Sequence, residues 1–271
     1  MDNRYGRSHI AAAFQKAQRT QSAALMPYFT LGYPDRATSL AIIEAIAPYC
    51  DMLELGVPFS DPIADGPTVQ HSTQKSLENG TTTADCLQMV QELRQRGVTI
   101  PFLLMGYYNP VLAYGIADYV REAAAAGADG FIVPDLTPEE AGELEEAARE
   151  SGLTLIHFLA PTSNPQRIEA VARQAQGFIY LVSLTGVTGA RKQVQGNLAD
   201  FVNRVRGLAN VPLAVGFGIS TPEQAAEVGQ VADGVIVGSA LINAVDASGD
   251  KAQAAADFVE SLQQALVITS S

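Results

Sequence analysis

Eight short apolar runs, separated at regular intervals by amphipathic stretches, constrain this chain more than any other feature. They are Ala24–Leu31, Met52–Val57, Ile100–Met105, Gly130–Pro134, Leu153–Ala160, Phe178–Leu184, Leu213–Phe217 and Gly234–Val237. Each is continuous rather than alternating, as expected of parallel strands buried on both faces. Between them apolar residues recur every three or four positions, predicting helices in Ser39–Ile46, Ala84–Arg96, Ile116–Ala126, Pro138–Ser151, Asn164–Gln174, Leu198–Leu208 and Pro222–Val228. Thr137-Pro138, Asn164-Pro165 and Thr221-Pro222 each place a capping side chain before a proline suited to the first helical position. Gly97, Gly127 and Gly152 stand where a left-handed residue ends a helix. A short helix with Ser8 as N-cap is expected ahead of the first strand.

Strand and helix thus alternate eight times over 271 residues with no break in composition to mark a linker. The economical solution is α/β: a single (β/α)8 TIM barrel with an extra N-terminal helix, one domain over residues 1–271. A doubly wound sheet would be expected to carry a glycine fingerprint after its first strand, and here that strand runs into Leu31-Gly32-Tyr33-Pro34. The net charge of -12 argues against nucleic acid and anionic membrane surfaces as partners. No run approaches the roughly 18 apolar residues that span a bilayer. The Ile10–Phe14 stretch is too short for a signal peptide, so a cytoplasmic location is expected. Cys50 and Cys86 lie on different elements without ligand spacing and read as ordinary thiols of a reducing compartment.

The chemistry concentrates in the run from Leu53 to Gly66. Glu54 sits inside an apolar strand, where an ionised carboxylate is costly, so it is paired, protonated or used. The turn-rich segment that follows supplies Ser60, Asp61 and Asp65. Two carboxylates in unlike surroundings are how acid and base with separated pKa values are built. The plainer alternative is a Glu54 that caps neighbouring backbone, followed by a solvated loop. A barrel favours the functional reading, because catalytic groups gather at the C-terminal ends of its strands.

Glycine-rich strand ends come late in the chain: Thr185-Gly186-Val187-Thr188-Gly189, Gly216-Phe217-Gly218-Ile219-Ser220 and Gly238-Ser239-Ala240. In barrels this corner often binds phosphate through backbone N–H groups at a helix N-terminus. Ser239 is expected to add a hydroxyl and to cap that helix; tight turns alone are the alternative. The Gly186–Gly196 loop is suited to a lid, with Asp61 accepting from the Thr188 hydroxyl when it closes. Arg191 and Lys192 read as a solvated loop face. His9, His71 and His157 share no ligand spacing, and a cation on Glu54, Asp61 and Asp65 is disfavoured because barrel metal sites draw on several strands. Schiff-base chemistry needs a desolvated lysine, and Lys16, Lys75, Lys192 and Lys251 all fall outside the predicted strands.

The Glu-Leu-Gly-Val-Pro-Phe-Ser-Asp-Pro-Ile-Ala-Asp-Gly-Pro run from Glu54 to Pro67, with the three glycine-rich strand ends, resembles the tryptophan synthase alpha chain family over nearly the whole chain. The resemblance implies retro-aldol cleavage of indole-3-glycerol phosphate to indole and glyceraldehyde 3-phosphate, without metal or organic cofactor. It implies a beta-chain partner in an alpha2beta2 tetramer, with pyridoxal phosphate confined to that partner, which receives indole through an internal tunnel and joins it to serine. Glu54 is then the acid that protonates the indole ring, and Asp65 the ionised acceptor of the indole N–H. Backbone around Gly189, Gly218, Gly238 and Ser239 holds the phosphate, and Tyr28, Met105, Ile132 and Tyr180 form the indole pocket. Tyr28 stands where the family often has phenylalanine, so its hydroxyl needs a partner. A free-standing lyase of the same chemistry, a phosphate-binding barrel of another activity such as a sugar-phosphate isomerase, and a silent activating subunit are the alternatives; intact Glu54 and Asp65 argue against the last.

Overall fold

A computed structural model of the chain describes residues 5–182, 191–216 and 218–267. All eight apolar runs become strands: β1 Ala24–Thr30, β2 Leu53–Gly56, β3 Phe102–Met105, β4 Gly130–Ile132, β5 Thr154–Leu159, β6 Ile179–Val182, β7 Leu213–Gly216 and β8 Gly234–Val237. They pair in parallel, in sequence order, and close into a barrel where Ala24 meets Gly234 and Pro27 meets Val237. Every strand lies between two apolar layers. Met26, Leu103, Ile156, Phe178 and Ile236 point inward, while Leu25, Phe29, Leu55, Phe102 and Phe131 point outward to the helices. Both faces being buried explains why the runs are continuous.

Among the described residues twelve α-helices accompany them: α1 Arg7–Arg19, α2 Arg36–Ile46, α3 Pro67–Glu78, α4 Thr83–Gln95, α5 Tyr108–Tyr114, α6 Ile116–Ala126, α7 Gly142–Glu150, α8 Pro165–Gln174, α9 Arg191–Arg206, α10 Pro222–Gly229, α11 Ser239–Asp246 and α12 Lys251–Leu266. Asn164 and Thr221 cap α8 and α10, accepting from Arg167 and Gln224 backbone N–H groups at 2.8 and 3.3 Å. Gly97, Gly127 and Gly152 hold positive φ, as their terminator role requires.

Three expected caps fail, Ser239 at the start of α11 among them. Thr137-Pro138 opens a turn closed by Glu140 N–H donating to Thr137 O at 3.0 Å, and α7 begins only at Gly142. Ser8 lies inside α1, whose N-cap is Gly6 at φ 87. Periodicity gave no signal for α3, because this helix buries the small polar residues Ser72, Thr73 and Ser76 along with a lone valine, Val69. Its Ser76 hydroxyl donates to Leu31 O at 2.6 Å and ties α3 to the end of β1.

At the N-terminal end of the barrel α1 acts as a plug. Ile10 and Phe14 enter the inner cluster, with the Phe14 ring 5.6 Å from that of Phe178. The plug is anchored by Asp129, fully buried, whose Oδ1 accepts from Gly6 N–H at 2.6 Å and lies 2.8 Å from His9 Nδ1. Its Oδ2 accepts from Arg94 and from Phe102 N–H, each at 2.8 Å.

Candidate active site

The opposite end of the barrel carries an open cavity of about 500 Å³. Its wall brings together residues from β1, β2, β3, β6 and β8 and from the loops after β2 and β7: Tyr28, Glu54, Asp65, Met105, Tyr180 and Gly218 among them. Glu54 pairs with Tyr28 across β1–β2 and with Leu103 across β2–β3, and shares the inner face of the barrel with both. It has no exposed surface, and neither of its carboxyl oxygens has a hydrogen-bond partner among the described residues. Burial alone pushes its pKa up to about 8, against an ordinary 4.5. At neutral pH Glu54 is therefore mostly a neutral acid holding a transferable proton. The neighbouring Tyr180 does not bond it.

Asp65 is placed by the turn after β2, where its own N–H donates to Pro62 O at 3.0 Å. The carboxylate oxygen Oδ2 accepts from the Tyr107 hydroxyl at 2.9 Å, and that hydroxyl in turn accepts from Ala64 N–H at 3.0 Å. Burial raises the Asp65 pKa while the Tyr107 bond lowers it. Two carboxyl groups thus face one cavity, one orphaned and the other held by a donor. Tyr107, stacked 5.5 Å from Phe59, was not singled out by the sequence reading. Its position just past the end of β3, where barrels put functional side chains, was the available signal.

The aromatic wall depends on glycine. A Cβ on Gly56 would lie 2.2 Å from the Tyr28 hydroxyl, and one on Gly216 would lie 2.3 Å from the Tyr180 hydroxyl. Tyr180 also packs on Phe158 at 4.7 Å. Ile132 pairs with Met105 but is fully buried in the inner cluster and forms no part of the cavity wall.

Gly218, Ile219, Ser220, Gly238, Ser239 and Ala240 line the far side. Gly218 has φ +76, which only glycine adopts without strain. Helix α11 starts on Gly238 with no side-chain cap, and Ser239 is its first helical residue rather than the cap. Ser239 and Ala240 of its first turn line the cavity, and their N–H groups have no side-chain acceptor among the described residues, as at helix N-termini suited to an anion. Asp61 is exposed outside the cavity, accepting from the Ser60 hydroxyl at 2.5 Å. Thr188 and Gly189, and with them the expected lid contact and part of the phosphate site, lie outside the described residues. Among the described residues no cluster of three His, Cys, Asp or Glu side chains has the geometry to hold a metal, and no helix is long and apolar enough to cross a membrane.

A closed parallel barrel of eight strands ringed by helices is of the (β/α)8 class. The family model for tryptophan synthase alpha chain matches residues 14–268. The chain is 50% identical over 262 residues to the tryptophan synthase alpha chain of Chloroflexus aurantiacus, an alignment covering 96% of this chain and 98% of the relative. Among solved structures, tryptophan synthase subunit alpha from Legionella pneumophila superposes with TM-score 0.88 at 36% identity, covering 95% and 98% of the two chains. A chain of Mycobacterium tuberculosis tryptophan synthase superposes with TM-score 0.89 at 37% identity, covering 98% and 100%. This chain belongs to the tryptophan synthase alpha chain family.

Proposed function

We infer that this chain is a lyase that cleaves indole-3-glycerol phosphate to indole and glyceraldehyde 3-phosphate, as the alpha subunit of a tryptophan-forming enzyme. The observation that carries the chemistry is the buried, unpartnered Glu54 facing Asp65 across the cavity. Carbon–carbon cleavage requires C3 of the indole to be protonated first, so that the ring becomes an electron-accepting indolenine. Glu54, neutral near pH 7, supplies that proton. The carboxylate so formed, or a group relaying through it, takes the proton from the glycerol hydroxyl next to the breaking bond. The electron pair of that bond then returns the ring to indole, and the hydroxyl carbon becomes the aldehyde.

Asp65, held by Tyr107, accepts the indole N–H and stabilises the positive charge that builds on the ring. Tyr28, Met105 and Tyr180 enclose the ring, with Ile132 beside Met105 on the adjacent strand. N–H groups around Gly218, Gly238 and Ser239 hold the phosphate, joined by Gly189 from the loop that carries Thr188. Binding energy there, remote from the bond that breaks, supports positioning at the reacting carbon. The partner is a beta chain. We place pyridoxal phosphate in that beta chain and no cofactor in this one, with an alpha2beta2 assembly in the cytoplasm.

The test is indole release from indole-3-glycerol phosphate by the purified chain, alone and with a tryptophan synthase beta chain. Slow release that rises sharply with the partner is expected. Fast release indifferent to the partner would indicate a free-standing lyase, and no release in either case would overturn the reading.

A further inference from the structure

Tyr107, whose hydroxyl holds Asp65, is itself held on both sides by the end of β4. On one side Gly106 N–H donates to Ile132 O at 3.0 Å, extending the β3–β4 ladder. On the other side Tyr108 N–H, the first of α5, donates to the Asp135 carboxylate, 3.0 Å from Oδ1 and 3.2 Å from Oδ2. Asp135 sits in the turn that follows β4, where Leu136 N–H donates to Val133 O at 3.2 Å.

The Asp135 bond has no local substitute. Tyr107 is the N-cap of α5, but its side chain does not cap the helix, because the hydroxyl is engaged with Ala64 N–H and Asp65 Oδ2. A helix of seven residues has few bonds of its own, and its first N–H groups take acceptors from elsewhere. A carboxylate is the strong choice at that end of a helix. Asp135 is exposed, does not line the cavity, and bonds nothing but this N–H among the described residues. The Tyr107 ring is buried against Phe59, and its hydroxyl stands at the far end of the ring from the backbone. A small rotation of the peptide after Tyr107 therefore moves the hydroxyl further than a hydrogen bond to Asp65 tolerates.

We propose that Asp135 is a positioning residue for the reaction: by fixing Tyr108 N–H it sets where the Tyr107 hydroxyl meets Asp65. Asp135 touches neither substrate nor the reacting carboxyl groups, and it acts through the peptide that follows Tyr107. This rests on the role given to Asp65 above. It connects a turn after β4 to a carboxylate supplied by the loop after β2, through hydrogen bonds at every step.

The test follows indole formation against pH, using the chain with saturating beta chain. Asp135→Ala is expected to lower kcat about fivefold, as far as loss of the Tyr107 hydroxyl itself would, with KM little changed. The acid limb of the profile should move to higher pH, because a Tyr107 bond made less often no longer holds the Asp65 pKa down against burial. Glu54, Tyr28 and Tyr180, which face the same cavity, are left as they are. Asp135→Asn keeps an acceptor oxygen in place and is expected to restore both the rate and the limb. The decisive comparison repeats Asp135→Ala in a Tyr107→Phe background, where no hydroxyl remains to be positioned and the further loss should shrink to less than about 1.5-fold.

A normal rate with an unmoved limb in Asp135→Ala, a loss that persists in the Tyr107→Phe background, or an Asp135→Asn variant as slow as Asp135→Ala each overturns the proposal while leaving the function intact. Asp65→Asn is assayed alongside. Near-normal turnover in that variant overturns the role of Asp65 and this proposal together. If Asp135→Ala does not fold, Asp135→Leu, close to aspartate in shape and without an acceptor, is read against the same outcomes.

Discussion

Two carboxylates are sealed at opposite ends of the same barrel, and they are treated in opposite ways. Asp129, at the N-terminal end, accepts from two backbone N–H groups and the Arg94 guanidinium, with His9 Nδ1 at 2.8 Å. Arg94 is itself saturated by Gly127, Val98 and Ile100 carbonyls and stacked 3.8 Å over the Phe102 ring. Glu54, at the mouth, is equally buried and accepts from no donor among the described residues. A buried ion that is fully bonded costs little and locks the elements it touches; a buried acid left alone keeps its proton and destabilises the fold on ionising. The difference separates a carboxylate kept for structure from one kept for chemistry.

The sharpest way to break this contrast is to neutralise Glu54. Glu54→Gln is expected to lower the rate by about a thousandfold or more, within the range of a lost general acid–base group, with substrate binding retained. Near-normal turnover would sink the acid role. The wild-type rate should also fall as pH rises through about 8, where Glu54 loses its proton. Stability follows with a definite sign. The folded pKa of about 8 lies above the ordinary 4.5, so the folded state holds the extra proton between those values. Stability is then full below pH 4.5 and declines as pH rises towards 8. Glu54→Gln should remove that decline and melt later than wild type at pH 9, by differential scanning calorimetry.

Asp129→Asn should do the reverse. Leaving Arg94 buried without its anion is expected to cost on the order of 3 kcal/mol in urea unfolding, with kcat per folded molecule unchanged. A folded variant that unfolds normally but turns over slowly would place Asp129 in the catalytic machinery and erase the contrast.

The sequence displayed these two carboxylates unequally. Glu54 was visible because an acid inside an apolar run breaks a pattern set by its neighbours. Asp129 follows Gly127-Ala128 in what reads as the turn after a helix, and its partners come from residues 6, 9, 94 and 102, which only the closed barrel assembles. Strands were legible for the same reason as Glu54: each buries both faces, so composition alone marks it. Helix α3 was not, because Ser72 and Ser76 face the barrel through hydroxyl bonds and leave no apolar stripe. Asp65 was legible as a loop carboxylate, while the donor that holds it, Tyr107, is 42 residues away in the chain.

Asp65 lies between the two extremes, half-held and half-free, so it grades the comparison. Asp65→Asn keeps the shape and an acceptor oxygen but removes the charge that meets the developing positive indole. A loss of about a hundredfold in kcat is expected, in line with one preorganised electrostatic group. Loss below about threefold would make Asp65 a structural turn residue, closer in kind to Asp129.

Tyr107→Phe gives the smallest and most discriminating effect. It removes the Tyr107 donor to Asp65 Oδ2 and leaves Ala64 N–H without its acceptor, while the ring keeps its contact with Phe59. The Tyr107 bond lowers the Asp65 pKa and burial raises it, so without the bond the carboxyl moves up and ionises later. Activity that needs ionised Asp65 should then lose its acid limb at higher pH than in wild type, with kcat at neutral pH reduced about fivefold, the scale of one hydrogen bond of about 1 kcal/mol. The two carboxyl groups would come closer in protonation behaviour, which is the separation the mouth depends on. An unmoved acid limb with normal kcat would mean that Tyr107 only shapes the turn, and that the unlike surroundings of Glu54 and Asp65 arise from burial alone.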